Sequence, residues 1–423
     1  MRIAQVANFV APTSGGIRTT LRHLAAGYVA AGHEVVRVLP ARRDGVRHAD
    51  GVTTLMVRSP LVPGTSYRMI TEPWRVAEML DEADPTHLEV HDRTTLRRLG
   101  RWARRRGVHS LVVSHERVDR LLGAKTPCSL RGVLPVRAAA DVTNRGLAAG
   151  YDTVVTTTYW AAAEFRRIGA ENLRQVPLGV DLDRFGAQTA DQSLRRAFAR
   201  DSDVLLVSIG RMDPEKRVDI AIDALAELVR RGIPARLVLA GDGNGRKELE
   251  RRAAGLPVVF LGFVADRARL SSLLASADVA LAPGPVETFG LAALEAMASA
   301  TPVVVHHGSA LAELVDPRCG RIAAGCGYGF ADAVEEILTL DAVDRRLAAR
   351  ARAQMYPWSA TVDGFLSVHG LPPVPRAAAP LSLPAETGGV DAGIDDGRVD
   401  DGRIDAEISG EIDRGGADLP RAA

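Results

Sequence analysis

The chain has 423 residues, 46% of them hydrophobic and 25% charged, which is enough for two domains that each bury a core. The 53 basic residues balance 52 acidic ones, so the net charge of +1 argues against nucleic-acid binding through a global basic field. The three cysteines, Cys128, Cys319 and Cys326, form no C-x-x-C pair and suggest neither a disulfide framework nor a zinc site, as in a reducing, cytoplasmic setting.

Short apolar runs rich in β-branched residues alternate with helix-length segments along most of the chain. The runs are IAQVANF, HEVVRVL, HLEVHD, SLVVSHE and DTVVTTT, then DVLLVSIG, ARLVLAGDG, PVVFLGF, DVALAPG and TPVVVHH. Their brevity and spacing predict parallel strands that are buried on both faces and joined by helical crossovers. The predicted fold class is therefore α/β, with doubly wound parallel sheets.

A polar segment, AQTADQSLRRAFARDS, separates the two series of strands. It predicts a boundary between a Rossmann-like N-terminal domain, residues 1–190, and a second Rossmann-like domain, residues 191–354. Two such sheets facing each other form a cleft between the carboxyl ends of their strands.

Weaker polar signals lie at strand ends in the N-terminal half. Ser14, Gly15 and Gly16 form a glycine pair before a helix, which is common in such loops and is not G-x-G-x-x-G. LEVHDRTTL places Asp92 after a strand, and VVSHERVDR places His115 in the same way. Side chains there point into the cleft, although a lone histidine is often structural.

The stretch SIGRMDPEKRVDIAIDAL begins the strongest cationic motif. A strand ends at Gly210, and Arg211 and Lys216 flank a turn that contains Pro214, before a helix. Two cations at such a turn are placed to neutralise a diphosphate. The alternative is that they are ordinary solvated turn residues. A glycine-rich strand-to-helix loop, AGDGNGR with Asp242, follows the next strand.

The stretch LAPGPVETFGLAALEAMA predicts a strand, a break and a helix capped by Thr288. The free N–H groups of Phe289, Gly290 and Leu291 would then point into the cleft, where a helix N-terminus suits a phosphate. Glycine at position 290 permits close backbone approach.

Two carboxylates flank this motif, at Glu287 and Glu295. At roughly 1.5 Å rise per residue they are offset by about 10 Å, a span comparable to the two ends of a nucleotide sugar. They are candidate acceptors for hydroxyl groups at those ends. The alternative is a first-turn glutamate favoured by the helix dipole and a solvated helix glutamate.

ETFGLAALE has the E-x7-E pattern, and with GRMDPEK, AGDG, SGGI and VPLGVD it resembles the retaining GT-B glycosyltransferases of family 4 over about residues 1–367. NFVAPTSGGIRT, SHERVDR and LAPGPVETFGLAALE look most like GDP-mannose-dependent α-mannosyltransferases of glycolipid synthesis, which make phosphatidylinositol mannosides or mannosylated glucuronosyl diacylglycerol. The resemblance implies two Rossmann-like domains and a final helix, within 355–370, that returns to the N-terminal domain.

The resemblance also implies roles for single residues. His115 would lie beside the transferred sugar, Asp92 near the sugar or the acceptor, and Glu287 on the sugar. No metal is needed, since arginine, lysine and the helix dipole would meet the leaving-group charge. The implied donor-binding residues are Gly16, Arg211, Lys216, Asp242, Val264, Glu287, Thr288, Phe289, Gly290, Leu291 and Glu295.

Other interpretations stay open. A transferase with a UDP- or GDP-glucose-type donor and a soluble acceptor would share the fold, and residues 262–266 would read the base. A non-catalytic regulator that binds nucleotide sugars would be free to lose the cations and carboxylates that are present here. The sequence does not determine the oligomeric state.

Membrane contact is expected to be peripheral, at the inner face of the cell membrane, where a glycolipid acceptor lies. The N-terminus has no signal-peptide pattern, and no stretch approaches the roughly 20 apolar residues that span a bilayer. TLRRLGRWARRRG predicts a helix with six arginines and an apolar stripe of Leu96, Leu99, Trp102 and Ala103. Such a helix suits an anionic membrane surface, or it packs its stripe on the core.

Residues 371–423 carry 11 acidic residues and 5 arginines with much glycine and proline, which predicts a disordered tail. Deleting residues 372–423 should leave the melting temperature and the activity largely intact, because such a segment buries little. Thermal melts and a transfer assay on the truncated and full chains test this, and a collapse of either property would show that the tail packs.

Overall fold

The computed structural model describes residues 1–10, 15–63, 65–125 and 135–375, and within these ranges the strands form two sheets. One sheet has eight strands in the order β3-β4-β2-β1-β5-β6-β7-β8, and the other has six in the order β11-β10-β9-β12-β13-β14. All pairs are parallel except β3 with β4. The predicted α/β class with two doubly wound sheets is confirmed; Ser14 and Cys128 lie outside the described residues.

The N-terminal lobe contains, in chain order, β1 (Arg2–Ala7), α1 (Gly16–Ala30), β2 (Glu34–Ala41), β3 (Gly45–Ala49), β4 (Val52–Arg58), α2 (Pro73–Ala83), β5 (His87–His91), α3 (Leu99–Arg106), β6 (His109–Ser114), α4 (Val118–Lys125), α5 (Val136–Ala148), β7 (Thr153–Thr156), α6 (Tyr159–Arg167) and β8 (Leu173–Gln175). The hairpin β3-β4 and the short edge strand β8 were not predicted. Their burial alternates or is partial, because β3 and β8 form the two edges of the sheet and β4 is the strand next to the β3 edge.

The C-terminal lobe contains α7 (Gln192–Phe198), β9 (Val204–Ile209), α8 (Val218–Arg230), β10 (Ala235–Ala240), α9 (Arg246–Arg252), β11 (Val258–Gly262), α10 (Arg267–Ser276), β12 (Val279–Ala282), α11 (Leu291–Ala298), β13 (Val303–His306), β14 (Gly320–Ala323), α12 (Gly327–Leu338) and α13 (Ala342–Ala353), followed by α14 (Trp358–Val368). Short 3₁₀ turns cover Pro214–Lys216 and Ala310–Glu313. Strands β9 and β12 lie side by side, so the loops after them share one edge of the sheet.

The chain changes lobes before the predicted boundary at residue 190. Leu178, Val180 and Phe185 already belong to the hydrophobic core of the C-terminal lobe. The polar segment AQTADQSLRRAFARDS, from which the boundary was predicted, lies within the C-terminal lobe, where its helix α7 contacts α10. A polar composition marks an exposed segment, whereas the change of lobe occurs in an apolar one that buries its side chains.

The helix that was predicted to return to the N-terminal lobe is α14. Trp358, at its start, lies in the core of the C-terminal lobe, whereas Phe365 and Leu366 are fully buried in the core of the N-terminal lobe. Gly27 on α1 permits this packing, because a Cβ atom there would collide with Val362. One helix therefore joins the two cores.

The arginine-rich helix α3 does not offer an apolar face to a membrane. Leu96, Leu99, Trp102 and Ala103 are all buried in the N-terminal core, and Trp102 donates a hydrogen bond of 2.8 Å to Asp81. The expectation that this stripe could lie on a membrane is wrong, because the stripe is needed to cover β5 and β6. The arginines of the helix face solvent.

The C-terminal segment packs slightly further than predicted, and residues 376–423 lie outside the described residues. Leu371 and Val374 contact the N-terminal core, and the Val374 amide donates to Asp363 at 3.0 Å. A truncation that leaves these contacts intact must therefore begin after Pro375 rather than after Leu371. Among the described residues, no helix is both long and apolar enough to cross a membrane.

Shortening Leu366 tests whether α14 stabilises the N-terminal lobe. Leu366→Ala should lower the free energy of unfolding by about 2–5 kcal/mol, because it leaves a cavity in a fully buried position. Leu347→Ala on α13 is the matched control, since that side chain is 63% exposed. This variant should change the free energy of unfolding by less than about 0.5 kcal/mol. Urea denaturation of both variants measures the difference; equal effects would contradict the role of α14.

Candidate active site

Two cations lie at the carboxyl end of β9. The strand is followed by Gly210, whose φ of 151° turns the chain into the loop that carries Arg211. Lys216 closes the 3₁₀ turn after Pro214, and its amide donates to the Asp213 carbonyl at 2.9 Å. Both cations line a solvent-open cavity of about 470 Å³ between β9 and β12.

Carboxylates of the same region balance these cations. Lys216 Nζ donates a very short hydrogen bond to Glu287 Oε1. Arg211 pairs with Asp213 and, at 3.2 Å, with Glu215. The structure thus brings Arg211 and Lys216 together with Glu287, which is 71 residues beyond Lys216 in sequence, and each of the two cations is paired with a carboxylate.

Helix α11 starts later than predicted. Its first residue is Leu291, and its N-cap is Gly290 in the left-handed conformation, with φ 78°. The prediction that Thr288 caps the helix is therefore wrong. Gly290 is required twice, by its positive φ and because a Cβ atom would collide with Leu311. The side chain of Phe289 is buried, so only its backbone could serve a ligand.

Thr288 instead forms hydrogen bonds that connect the two lobes. Its hydroxyl donates to the carbonyl of His115, and its own carbonyl accepts hydrogen bonds from Thr157 at 3.2 Å and Thr158 at 3.0 Å. Glu313 adds a second connection by accepting from the first two amides of α6. The loop before α11 is therefore held against the strand ends of the opposite lobe.

His115 ends a polar chain that starts at the fully buried carboxylate of Glu89. Its Nε2 lies 2.7 Å from Nδ1 of His91, and Nε2 of His91 forms a very short hydrogen bond to Glu89. Burial, and secondarily the charge of His91, hold the pKa of His115 well below its usual value. His115 is thus neutral at pH 7 and can accept or donate one hydrogen bond towards the cleft.

The ionised carboxylate of Glu89 determines which atoms donate in the hydrogen bonds that connect Glu89, His91 and His115. Burial alone would raise the pKa of Glu89, but the charge and hydrogen bonds of His91 and His369 outweigh burial and hold the pKa far below its usual value. As an ionised carboxylate only accepts, His91 donates to it through Nε2. The proton between His91 and His115 then fixes the tautomer of His115.

Asp92 follows His91 in sequence, and its carboxylate is buried and hydrogen-bonded within its own loop. It is 3% exposed and accepts from the Thr94 amide at 3.0 Å, the Thr94 hydroxyl at 2.7 Å and the Leu96 amide at 2.9 Å. Burial raises its pKa against these hydrogen bonds. Its hydrogen bonds to Thr94 and Leu96 stabilise the loop between β5 and α3.

Glu295 lies at a second cavity, which is about 280 Å³ and is lined by both lobes. It is 8% exposed and pairs with Arg267, whose guanidinium stacks 4.9 Å from the ring centre of Phe185. His23 and Trp358 stack at 4.2 Å on the opposite wall. The structure therefore separates Glu287 and Glu295 into adjoining cavities.

The remaining predicted residues, Asp242, Val264 and Gly16, are not among the residues that line these two cavities. Asp242 is exposed and accepts from the Gly243 amide at 2.8 Å, while its own carbonyl accepts from the Met212 amide at 2.9 Å. Val264 packs on the C-terminal core. Gly16 opens α1, and a side chain there would meet nothing within 4 Å, so packing does not explain the glycine.

Sequence reasoning missed Glu89, Arg267 and Glu313. Glu89 had a signal, because a carboxylate in the middle of a fully buried strand needs a partner. Arg267 and Glu313 had none, since their partners are 28 and more than 150 residues away.

Both lobes match families of sugar-transferring enzymes. Residues 15–180 match the model described as "Glycosyl transferase 4-like domain", and residues 203–340 match "Glycosyl transferases group 1". A sucrose-phosphate synthase from Thermosynechococcus elongatus has the same fold, with a TM-score of 0.72 over 88% of this chain and 98% of that one at 20% identity. The fold is that of a GT-B glycosyltransferase.

A relative with higher sequence identity indicates more specifically which glycosyltransferases this chain resembles. The GDP-mannose-dependent alpha-(1-6)-phosphatidylinositol dimannoside mannosyltransferase of Mycobacterium tuberculosis (strain ATCC 25177 / H37Ra) is 46% identical over 375 residues, 88% of this chain and 96% of that protein. D-inositol 3-phosphate glycosyltransferase 2 of Catenulispora acidiphila is 36% identical over 52% of this chain and 56% of its own length. The chain belongs to the GT-B glycosyltransferases of family 4, as the motifs predicted.

Removing the amine of Lys216 tests the cationic turn. Lys216→Ala should lower kcat/KM about 10- to 100-fold, because a charge-assisted hydrogen bond worth about 1.5–3 kcal/mol is lost. Lys247→Ala, an exposed lysine on α9, is the matched control and should behave like the parent chain. Steady-state kinetics with the nucleotide sugar measure both; near-normal kcat/KM for Lys216→Ala would remove this residue from the site.

Proposed function

We propose that the protein transfers mannose from GDP-mannose to a membrane glycolipid of the phosphatidylinositol mannoside type, forming an α linkage. The observation that carries this proposal is the 46% identity to the dimannoside mannosyltransferase across 96% of that relative. The geometry of the cleft agrees, because one cavity gathers two cations beside a carboxylate, and the next residue after that carboxylate, Thr288, is hydrogen-bonded to the backbone of His115 on the opposite lobe.

The diphosphate of the donor is proposed to lie between Arg211 and Lys216. Both cations are paired with carboxylates in this structure, so binding exchanges an internal anion for the phosphate. Lys216 is 26% and Glu287 25% exposed in their side chains, which leaves both accessible from the cavity. Release of Glu287 by Lys216 would free the carboxylate to accept hydrogen bonds from the sugar.

His115 and Glu287 are proposed to hold the sugar from opposite lobes. Thr288 ties the backbone of His115 to the loop that carries Glu287, so the two side chains keep a set separation when the lobes are closed. A neutral imidazole suits this task, because it binds a hydroxyl without attracting the departing diphosphate. Asp92 is proposed to act indirectly, by shaping the loop between β5 and α3.

The nucleoside is proposed to extend towards the second cavity. Glu295 would accept hydrogen bonds from the ribose hydroxyls. Arg267 pairs with the same carboxylate, so Arg267 and the ribose would share Glu295, as Lys216 and the sugar would share Glu287. Val264 and the exposed residues after β11 lie beside this position on the C-terminal core and would contact the base. Gly16 and the loop amides at residues 289–291 would approach the diphosphate.

The reaction is proposed to need no metal. As the glycosidic bond to the donor breaks, negative charge develops on the leaving diphosphate. Arg211 and Lys216 place two positive charges there, which is the work that a divalent cation does in enzymes without such residues. Unchanged initial rates in the presence of a strong chelator support this mechanism, whereas a rate restored only by added Mg²⁺ or Mn²⁺ overturns it.

The acceptor is proposed to be reached at the inner face of the cell membrane. Exposed arginines just before α3, at positions 97 and 98, and within it, at positions 101 and 105, present positive charge without an apolar stripe, so attachment would be electrostatic and sensitive to salt. Sedimentation with vesicles that contain anionic lipid, at low and high salt, distinguishes this attachment from transfer to a soluble acceptor.

Isothermal titration with GDP, UDP, GDP-mannose and UDP-glucose tests the donor. We expect GDP and GDP-mannose to bind at least tenfold more tightly than the uridine nucleotides, with Lys216→Ala weakening all of them. A preference for UDP would retain the diphosphate site and reject the mannosyl donor. Tight GDP-mannose binding without transfer to any phosphatidylinositol mannoside would instead favour the non-catalytic regulator.

A further inference from the structure

A second group of titratable residues lies at the edge of the N-terminal sheet opposite the cleft. His87 begins β5, His109 begins β6, and His369 follows α14. One ring nitrogen of each histidine lies within 4.8 Å of one from each of the other two. Since β5 has five residues, His87 and His91 are separated by about 13 Å, so this group lies outside the candidate active site.

The three rings are arranged almost symmetrically. Their centroids are separated by 5.7 Å for His87 and His109, 5.3 Å for His87 and His369, and 5.8 Å for His109 and His369. A tetrahedral zinc ion with nitrogen ligands at about 2.0–2.1 Å would separate the centroids by about 5.2 Å. The observed triangle needs only a small contraction to meet this geometry.

Hydrogen bonds to neighbouring groups leave nitrogens available to a ligand. Thr86 donates its hydroxyl proton to the Arg2 carbonyl at 3.0 Å, so it accepts from Nδ1 of His87 at 2.9 Å and leaves Nε2 unprotonated. His369 donates Nε2–H to Glu89 at 3.4 Å.

Unpaired buried nitrogens complete the pattern. Within the described residues, Nδ1 of His369 and Nδ1 of His109 are buried and have no hydrogen-bond partner. His369 is 4% and His87 8% exposed. A buried nitrogen without a partner is unfavourable unless a ligand satisfies it.

The surrounding charge favours a cation. Glu89 hydrogen-bonds to His369, forming the carboxylate–histidine arrangement that orients metal ligands. Asp152 is close enough to affect the ring of His109.

We propose that His87, His109 and His369 form a structural binding site for a zinc-type divalent transition metal ion. Three imidazoles without a carboxylate or thiolate ligand suit zinc and its neighbours rather than magnesium or calcium. The ion joins two strands of the N-terminal sheet to the residue that ends α14. It therefore holds the returning helix in place and takes no part in the transfer reaction.

Zinc binding to the full chain without a histidine tag tests the proposal. The protein is stripped with a chelator and dialysed, then titrated with Zn²⁺ by calorimetry and with Co²⁺ by visible absorption. We expect one ion per chain, the intense bands of tetrahedral Co²⁺ and a rise of several degrees in melting temperature with Zn²⁺. Substoichiometric zinc with only the weak octahedral Co²⁺ spectrum overturns the site.

Variants separate this site from adventitious binding. His109→Asn should weaken zinc binding at least tenfold and abolish the zinc-dependent rise in melting temperature, while exposed His48→Asn on β3 should behave like the parent chain. His87→Asn gives a second measurement if His109→Asn does not fold by circular dichroism. Unchanged zinc affinity in the folded variant, or equal losses in His48→Asn, contradicts the assignment.

Discussion

The N-terminal lobe is organised around one buried negative charge, the carboxylate of Glu89. It is fully buried and accepts hydrogen bonds from Gln5 at 3.0 Å, Tyr28 at 2.7 Å, His91 and His369. These partners come from β1, α1, β5 and the end of α14. A charge in a core is tolerated only when such partners surround it, so this carboxylate specifies how the central strands and the returning helix fit together.

The same charge connects the interior of the lobe to the cleft. Glu89 orients His91, His91 orients His115, and the backbone of His115 accepts the hydrogen bond of Thr288 from the opposite lobe. The loop that contains Thr288 also carries Glu287, beside the cationic turn. The positions of His115 and of the loop that carries Glu287 are therefore coupled through hydrogen bonds rather than set by each lobe separately.

Much of the fold and part of the site followed from local patterns. The buried apolar runs predicted the central strands. The rule that loops at strand ends form sites predicted that Arg211, Lys216 and Glu287 lie together, and all three line one cavity. The N-cap at Thr288 was wrong because its hydroxyl has a partner in the other lobe, which a local capping pattern does not report. The edge hairpin was missed because partly exposed strands lack a continuous apolar run.

By itself the sequence determined the α/β class, the two sheets and the family, because burial of strand and helix faces imposes periodic apolar residues and the donor loops carry short motifs. Tertiary structure alone decided that the apolar stripe of α3 covers the core, that Arg267 pairs with Glu295, and that His369 meets Glu89 from 280 residues away. Periodicity reports only whether a side chain is buried; which groups satisfy its charge or hydrogen bonds depends on how distant segments pack.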